Sequence, residues 1–131
     1  MPEYTFHEAN PDDYNRIMSR MQQSYIAMTG EEWARYFRSH GIATRAQLGE
    51  MQANIKSRIA NNDSSWWQKL IGQIWYRFIL PKTNDLLTPR NLLKVLSKLD
   101  HLLPYMPNDF WKTVLKALDK AAEYAYDKMD K

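Results

Sequence analysis

The feature of this sequence that most constrains its fold is the regular recurrence of helix-start signals. Each signal places side chains that can accept hydrogen bonds from free helical N–H groups, or a proline, just before a stretch with apolar residues every three or four positions. The six signals are Asn10-Pro11-Asp12-Asp13, Thr29-Gly30-Glu31-Glu32, Thr44-Arg45-Ala46-Gln47, Asp63-Ser64-Ser65, Thr88-Pro89 and Asn108-Asp109. No stretch of five residues alternates with period two, so the sequence predicts helices and no sheet.

Stop signals set the lengths of these helices, because glycine and proline end helical stretches. His40-Gly41 ends the second helix, and Pro81 and Pro104 end the fourth and fifth. The predicted helices are 11–28, 31–39, 45–60, 66–80, 89–103 and a sixth from 108 to at least 125. We therefore predict an all-α fold, a compact six-helix bundle in a single domain, with a flexible N-terminal arm over residues 1–9 and a frayed tail over 129–131.

Composition excludes several classes of small protein. The chain has 131 residues and no cysteine, so disulfide scaffolds, cysteine-ligated zinc modules and cysteine catalysis are ruled out. A chain of this length buries roughly two-thirds of its unfolded surface, which is enough for a core without a metal or a disulfide. The net charge of +3 is too small to indicate a nucleic-acid-binding protein by itself.

The fourth predicted helix carries the densest group of aromatic residues. Its apolar positions cover an arc of roughly 220° at 100° per residue. Such a wide arc is typical of a helix with neighbours on several sides, so we expect this helix to lie at the centre of the bundle. Its apolar residues are Trp66, Trp67, Leu70, Ile71, Ile74, Trp75, Phe78 and Ile79.

The sequence contains no recognisable catalytic or cofactor-binding motif. The three histidines, His7, His40 and His101, share no metal-ligand spacing, and the four glycines stand apart. The N-terminus lacks the basic and apolar regions of a signal peptide, and the most apolar stretch, 66–80, is too short and too polar to span a bilayer. We expect a cytoplasmic protein that is not an enzyme, with no cofactor, no metal and no membrane partner.

The third predicted helix has a strip of small residues opposite its Leu, Met and Ile residues. Small side chains let another backbone approach closely, so the strip predicts either packing inside this chain or a groove for a partner. Arg45, Gln52 and Lys56 border it and would form the polar rim of such an interface. The strip consists of Ala46, Gly49, Ala53, Ser57 and Ala60, and the candidate partner-binding residues are Arg45, Ala46, Gly49, Gln52, Ala53 and Lys56.

A nucleic-acid interface is the alternative interpretation of the same region. The second and third helices and their Gly41-Ile42 turn could form a helix-turn-helix hairpin over 31–60. Bulky Phe37 stands where that motif usually has a small residue. The acids Glu31, Glu32 and Glu50 lie on the same helices and would repel phosphate. The candidate phosphate-binding residues are Arg35, Arg38, Arg45, Lys56 and Arg58, with Lys94 and Lys98 as a second basic site.

Part of this hairpin also carries a family resemblance. Its elements are a Trp, a Phe-Arg four residues later, a Gly-Ile, a capping Thr, and a Gln three residues after it that precedes an apolar residue. In this sequence they are Trp33, Phe37-Arg38, Gly41-Ile42, Thr44, Gln47 and Leu48. With these elements, residues 31–60 resemble a segment of the lambda-type phage replication P proteins. The resemblance implies a helicase loader, a non-enzymatic adaptor that bridges an origin-binding protein and the replicative helicase.

Taken together, these observations predict a small helical adaptor or inhibitor, encoded by a phage or plasmid, that recruits or occludes a host protein such as replication or defence machinery. Its partner is expected to be a protein, bound through the small-residue strip or through an exposed part of the Trp-rich region. A second copy of the chain is another candidate partner.

Overall fold

The computed structural model describes residues 11–75 and 88–131, and every regular element in these two ranges is a helix. The all-α prediction is confirmed. The predicted starts agree with the observed ones to within one residue. The helices are α1 (Pro11–Ile26), α2 (Gly30–Ser39), α3 (Arg45–Ala60), α4 (Trp66–Ile74), α5 (Pro89–Ser97), α6 (Leu99–Leu102) and α7 (Asn108–Tyr126).

The predicted capping residues begin α2 and α3. The Thr29 hydroxyl accepts a hydrogen bond from the Glu32 N–H at 3.2 Å, and the Thr44 hydroxyl accepts one from the Gln47 N–H at 3.1 Å. Gln47 Oε1 in turn accepts from the Thr44 N–H at 3.1 Å. Between the two helices Gly41 has a φ of +85°, a left-handed conformation that glycine adopts without steric cost. The sharp turn between α2 and α3 therefore follows from local sequence.

The prediction of one continuous fifth helix is wrong, because it is divided into α5 and α6 at Lys98. The Ser97 hydroxyl donates to the Lys94 carbonyl at 2.8 Å, a local bond that competes with the helical pattern and bends helices. Lys98 then has φ −96° and ψ 13°, outside the helical range. The described ranges thus contain seven helices where six were predicted for the whole chain.

The core forms around α7, which contacts α1, α2, α3 and α5. One side of α7 is buried along its whole length, from Phe110 and Trp111 to Ala121 and Ala125. Trp33 of α2 is fully buried. Its ring stacks on the Tyr25 ring of α1, with centroids 5.1 Å apart, and its Nε1 donates a hydrogen bond to the Tyr25 carbonyl at 3.2 Å. The N-terminal helices are therefore held together mainly through α7.

The expectation that the Trp-rich helix lies at the centre is wrong. In α4 the side chains of Trp66, Trp67, Ile71 and Ile74 are 68%, 46%, 47% and 44% exposed. Periodicity shows which positions are apolar but not how many neighbours a helix has, and α7, with its small Ala residues, takes the central place instead. Phe78 lies outside the described residues.

The C-terminal residues pack against the body, so the prediction of a frayed tail over 129–131 is also wrong. The Met129 side chain is buried. The Asp130 carbonyl accepts a hydrogen bond from the Arg45 N–H at 2.8 Å, and the Arg45 Nε donates to the Tyr126 carbonyl at 3.1 Å. These contacts join the end of the chain to the start of α3. The N-terminal arm predicted for 1–9 lies outside the described residues.

Replacing Tyr25 with Phe tests how its hydroxyl is buried. The hydroxyl has no hydrogen-bond partner among the described residues, so we expect the variant to unfold at pH 7 within about 1 kcal/mol of wild type. Burial, with a smaller contribution from Tyr36, raises the pKa of Tyr25 well above its usual value of 10.0. The contribution of the neutral Tyr25 phenol to the free energy of unfolding is then fully present below pH 10.0. As the pH rises further, the free energy of unfolding falls by up to about 1.4 kcal/mol per pH unit.

Urea unfolding of both proteins on either side of pH 10.0 measures this difference. Tyr25→Phe should lose less stability than wild type in the alkaline range. Equal losses in the two proteins would show that Tyr25 ionises as readily in the folded state as in the unfolded state.

Candidate functional site

The most distinctive surface of the described structure is the outward side of α4. At 100° per residue, Trp66, Leu70, Ile74, Trp67 and Ile71 fall within an arc of about 140°. Four of these five side chains are at least 44% exposed, and Leu70 is half-buried. We call these five residues the α4 face. Isolated apolar side chains are common on protein surfaces, but a contiguous aromatic and aliphatic group is typical of an interaction site.

The opposite side of α4 anchors the helix and fixes the direction of this face. Gly72 is buried, and a Cβ atom at this position would overlap the Tyr105 carbonyl oxygen. Only glycine allows the helix to approach the backbone after α6 so closely. Trp75 continues this side and packs edge-on against Phe110 of α7, with ring centroids 5.9 Å apart. Because Gly72 and Trp75 face the body, the α4 face is turned mainly to solvent. Trp67 and Ile71 lie at its margin: the Trp67 ring packs edge-on against Tyr105, with ring centroids 6.0 Å apart, and Ile71 lines the adjacent pocket.

A pocket of about 520 Å³ lies next to the α4 face, between α4, α5 and α7. We call it the α4–α5 pocket. Its lining is mainly apolar and includes Ile71, Trp75, Val95, Leu102, Met106 and Phe110. Lys94 and Lys98 also line it, and both are exposed. The pocket therefore combines an apolar interior with two cations at its edge.

The small-residue strip of α3 faces outward. Ala46, Gly49, Ala53, Ser57 and Ala60 are all exposed, and a Cβ atom at Gly49 would have no neighbour within 4 Å. The prediction that the strip packs inside this chain is therefore wrong for the described residues. The alternative left open by the sequence, a surface for a partner, stays a prediction.

The three residues predicted to form a polar rim around this strip have different environments. Arg45 contacts the C-terminal end of the chain, where its guanidinium also lies 4.8 Å from the centre of the Tyr126 ring. Gln52 Nε2 donates to the Asp119 carboxylate at 2.9 Å, which connects α3 to α7. Lys56 is exposed. Two of the three rim residues thus have internal structural roles.

The structure does not bring the predicted phosphate-binding residues together as one surface. Arg38 donates to the Lys128 carbonyl at 3.4 Å, and Arg58 forms an ion pair with Asp100. Arg38 and Arg45 both reach the end of α7, whereas Lys94 and Lys98 line the α4–α5 pocket. Arg35, like Lys56, is exposed.

Glu32 and His40 contribute to the two ends of α2. The Glu32 carboxylate accepts from the Thr29 hydroxyl at 3.1 Å as part of the cap of α2. His40 Nδ1 lies 3.0 Å from the Tyr36 carbonyl and 3.1 Å from the Ser39 hydroxyl at the end of the same helix. No group of three or more acidic or histidine side chains in these ranges could hold a metal ion. His7 lies outside them.

Sequence reasoning did not identify the α4–α5 pocket. Lys94 and Lys98 were recognised as a second basic site, and Trp75 as an apolar residue of the fourth helix. These residues meet in one pocket because the helix breaks at Lys98 and because α4 approaches the Tyr105 backbone closely at Gly72. The spacing of apolar residues in the sequence predicts neither feature. Gly72, an isolated glycine in an apolar helix, was the one feature of the sequence that indicated close packing of α4.

None of the helices in the described ranges combines the length and apolar character needed to cross a bilayer. A scan against protein-family models, a search of curated proteins and a search of solved structures each return no match. The resemblance of residues 31–60 to the lambda-type replication P proteins therefore stays a prediction, and the candidate site rests on geometry.

Proposed function

We propose that this protein is a non-enzymatic helical adaptor or inhibitor that binds a protein partner through the α4 face. It belongs, in this proposal, to the proteins that phages and plasmids use to recruit or occlude host replication or defence machinery. The mechanism is binding alone: the partner covers apolar side chains that are otherwise in water.

The observation that carries this proposal is the exposure of two adjacent tryptophans on a helix whose opposite side contacts the body at Gly72 and Trp75. Trp66 and Trp67 are 68% and 46% exposed, although Trp33 and Trp111 of the same chain are fully buried. Tryptophan is among the residues most often responsible for binding energy at protein interfaces, because its large rigid ring buries much apolar area at low entropic cost. Both rings lie on a regular helix, α4, so their backbone is already ordered before a partner binds, which lowers the cost of binding.

The small-residue strip of α3 is the competing candidate for the partner-binding surface. It lacks large side chains, so a partner would gain less apolar contact there. Substitutions confined to one surface separate the two. Trp66 and Ile74 do not line the α4–α5 pocket, so changing them also leaves that pocket intact.

We expect the double variant Trp66→Asp/Ile74→Asp to lose its partner while keeping its fold, because both side chains are exposed and a charge there opposes burial in an interface. Affinity capture from cells of the native host, followed by quantitative mass spectrometry, measures the loss. For a hot-spot tryptophan the binding free energy should fall by at least about 2 kcal/mol, roughly 30-fold in affinity.

The matched control is Ala53→Arg, which places a bulky charge at an exposed position of α3. It should retain the proteins that wild type captures. Loss of the partner with Ala53→Arg and retention with the α4 variant would assign binding to the strip and contradict the proposal. Sedimentation of wild type at several concentrations shows whether the partner is a second copy of the chain.

A further inference from the structure

We propose that the α4–α5 pocket binds a single-chain anionic amphiphile of the free fatty acid type. The hydrocarbon chain fills the apolar interior, and the carboxylate contacts Lys94 and Lys98 at the edge. This site is separate from the proposed protein-binding function, since it shares only Ile71 with the α4 face.

The interior of the pocket has the size and chemistry for a hydrocarbon chain. Its volume of about 520 Å³ lies within the range of roughly 300–1,000 Å³ that is usual for small-molecule sites. Its walls come from four places in the chain, represented by Ile71, Val95, Leu102 and Phe110. Burial of a flexible alkyl chain against such walls is favourable because it removes apolar surface from water on both sides.

The edge of the pocket supplies a positive charge without a matching acid. Lys94 lies in the last turn of α5 and Lys98 directly follows the helix, and both side chains line the same pocket. Neither ammonium group forms an ion pair within the described ranges, and the nearby Asp100 pairs with Arg58. Two like charges that line one pocket repel each other, and an anion between them relieves that repulsion.

The pair of lysines favours one carboxylate over an acidic protein segment. Two flexible lysine side chains that line one pocket can both reach a single carboxylate group. An acidic helix would carry several carboxylates along its length and would need a longer row of cations. In the lining of this pocket, Lys94 and Lys98 are the cations. A small amphiphile therefore matches the charge pattern best.

Isothermal titration calorimetry of the full chain with octanoate, decanoate and dodecanoate, below their micelle-forming concentrations, tests the proposal. We expect one molecule bound per chain, with an affinity that rises about fourfold for each added methylene while the chain still fits. The double variant Lys94→Gln/Lys98→Gln should bind dodecanoate about tenfold more weakly, since two exposed charge contacts are lost. It should bind neutral dodecanol as wild type does.

The matched control is Lys112→Gln/Lys116→Gln, which removes a lysine pair of the same spacing from the exposed side of α7. It should bind dodecanoate with wild-type affinity. Ile71→Glu, at a half-exposed position of the pocket, adds a like charge near the ligand and should also weaken dodecanoate binding. Circular dichroism confirms that each variant is folded.

Several results would overturn the proposal. They are the absence of saturable binding for every chain length, uptake of many molecules per chain, or equal affinities in the Lys94/Lys98 variant and wild type. Binding of an acidic helical peptide at these lysines, with none of dodecanoate, would assign the pocket to a protein ligand. These results are independent of partner capture, because the Lys94/Lys98 variant leaves the α4 face unchanged; only Ile71→Glu alters both sites.

Discussion

Replacing Trp33 with Ala is expected to lower the free energy of unfolding by about 3–5 kcal/mol. The Trp33 ring is fully buried, stacks on Tyr25 at 5.1 Å, and packs against Phe37 with ring centroids 6.0 Å apart. Its truncation would leave a large cavity between α1, α2 and α7 and would remove the hydrogen bond to the Tyr25 carbonyl. A loss of this size is a large part of the 5–15 kcal/mol that usually stabilises a domain.

Chemical denaturation monitored by circular dichroism gives the free energy of unfolding, and Trp66→Ala is the matched control. Trp66 is 68% exposed, so the same substitution there should change stability by no more than about 0.5 kcal/mol. The pair tests which tryptophans form the core. Similar losses for the two variants would mean that α4 is packed within the body and that the α4 face is not a surface.

Replacing Gly30 with Ala is expected to destabilise the fold by about 1–3 kcal/mol, although alanine is the better helix former. Gly30 is the first residue of α2 and lies against α7. A Cβ atom there would overlap the Tyr124 carbonyl oxygen, and this is a backbone atom that cannot move away as a side chain can. The two helices would have to separate, which would loosen the packing of Ala34 and Ala121, both fully buried.

The control is the same substitution at Gly49, where a Cβ atom would have no neighbour within 4 Å. Gly49 lies within α3, so alanine there should raise stability by roughly 0.5–1 kcal/mol through helix propensity alone. Thermal unfolding of the two variants should therefore show shifts of opposite sign. A destabilised Gly49→Ala would show that the small-residue strip is covered by another part of the chain.

Local chemistry made the helices predictable. Thr29, Thr44, Pro89 and Asn108 lie where the sequence predicted the helices to begin, because caps and prolines act within one turn of the backbone. The break at Lys98 was missed because it depends on the side-chain hydrogen bond of Ser97, and serine is common in helices that do not bend. Local patterns therefore gave the elements but not every boundary.

Packing between helices was harder to predict, and the tryptophans show why. Trp33 and Trp66 both lie in amphipathic helices, but one is fully buried and the other is 68% exposed. The difference comes from α7, which has buried alanines such as Ala121 and which α2 approaches so closely that Gly30 leaves no room for a Cβ atom beside the Tyr124 carbonyl. Small residues carry a weak hydrophobic signal, so the central helix was less conspicuous in the sequence than α4.

The candidate site was predictable only in part. The Trp-rich region was one of two surfaces proposed from the sequence, and the structure shows that two of its aromatic side chains, Trp66 and Trp67, are exposed. Arg45 could not be assigned from sequence, because its hydrogen bonds go to Tyr126 and Asp130, more than 80 residues away. The α4–α5 pocket likewise joins residues from separate helices, whose arrangement a single sequence does not encode locally.

The central position of α7 has a consequence for the order of events during synthesis. Helices α1, α2 and α3 bury their apolar sides mainly against α7, which leaves the ribosome after all three of them. Until α7 has been synthesised, the side chains of Trp33, Phe37 and Leu48, which are fully buried in the folded protein, lack the helix that covers most of their apolar surface. Nascent chains will therefore expose these side chains to chaperones, and folding will be completed only after α7 has emerged.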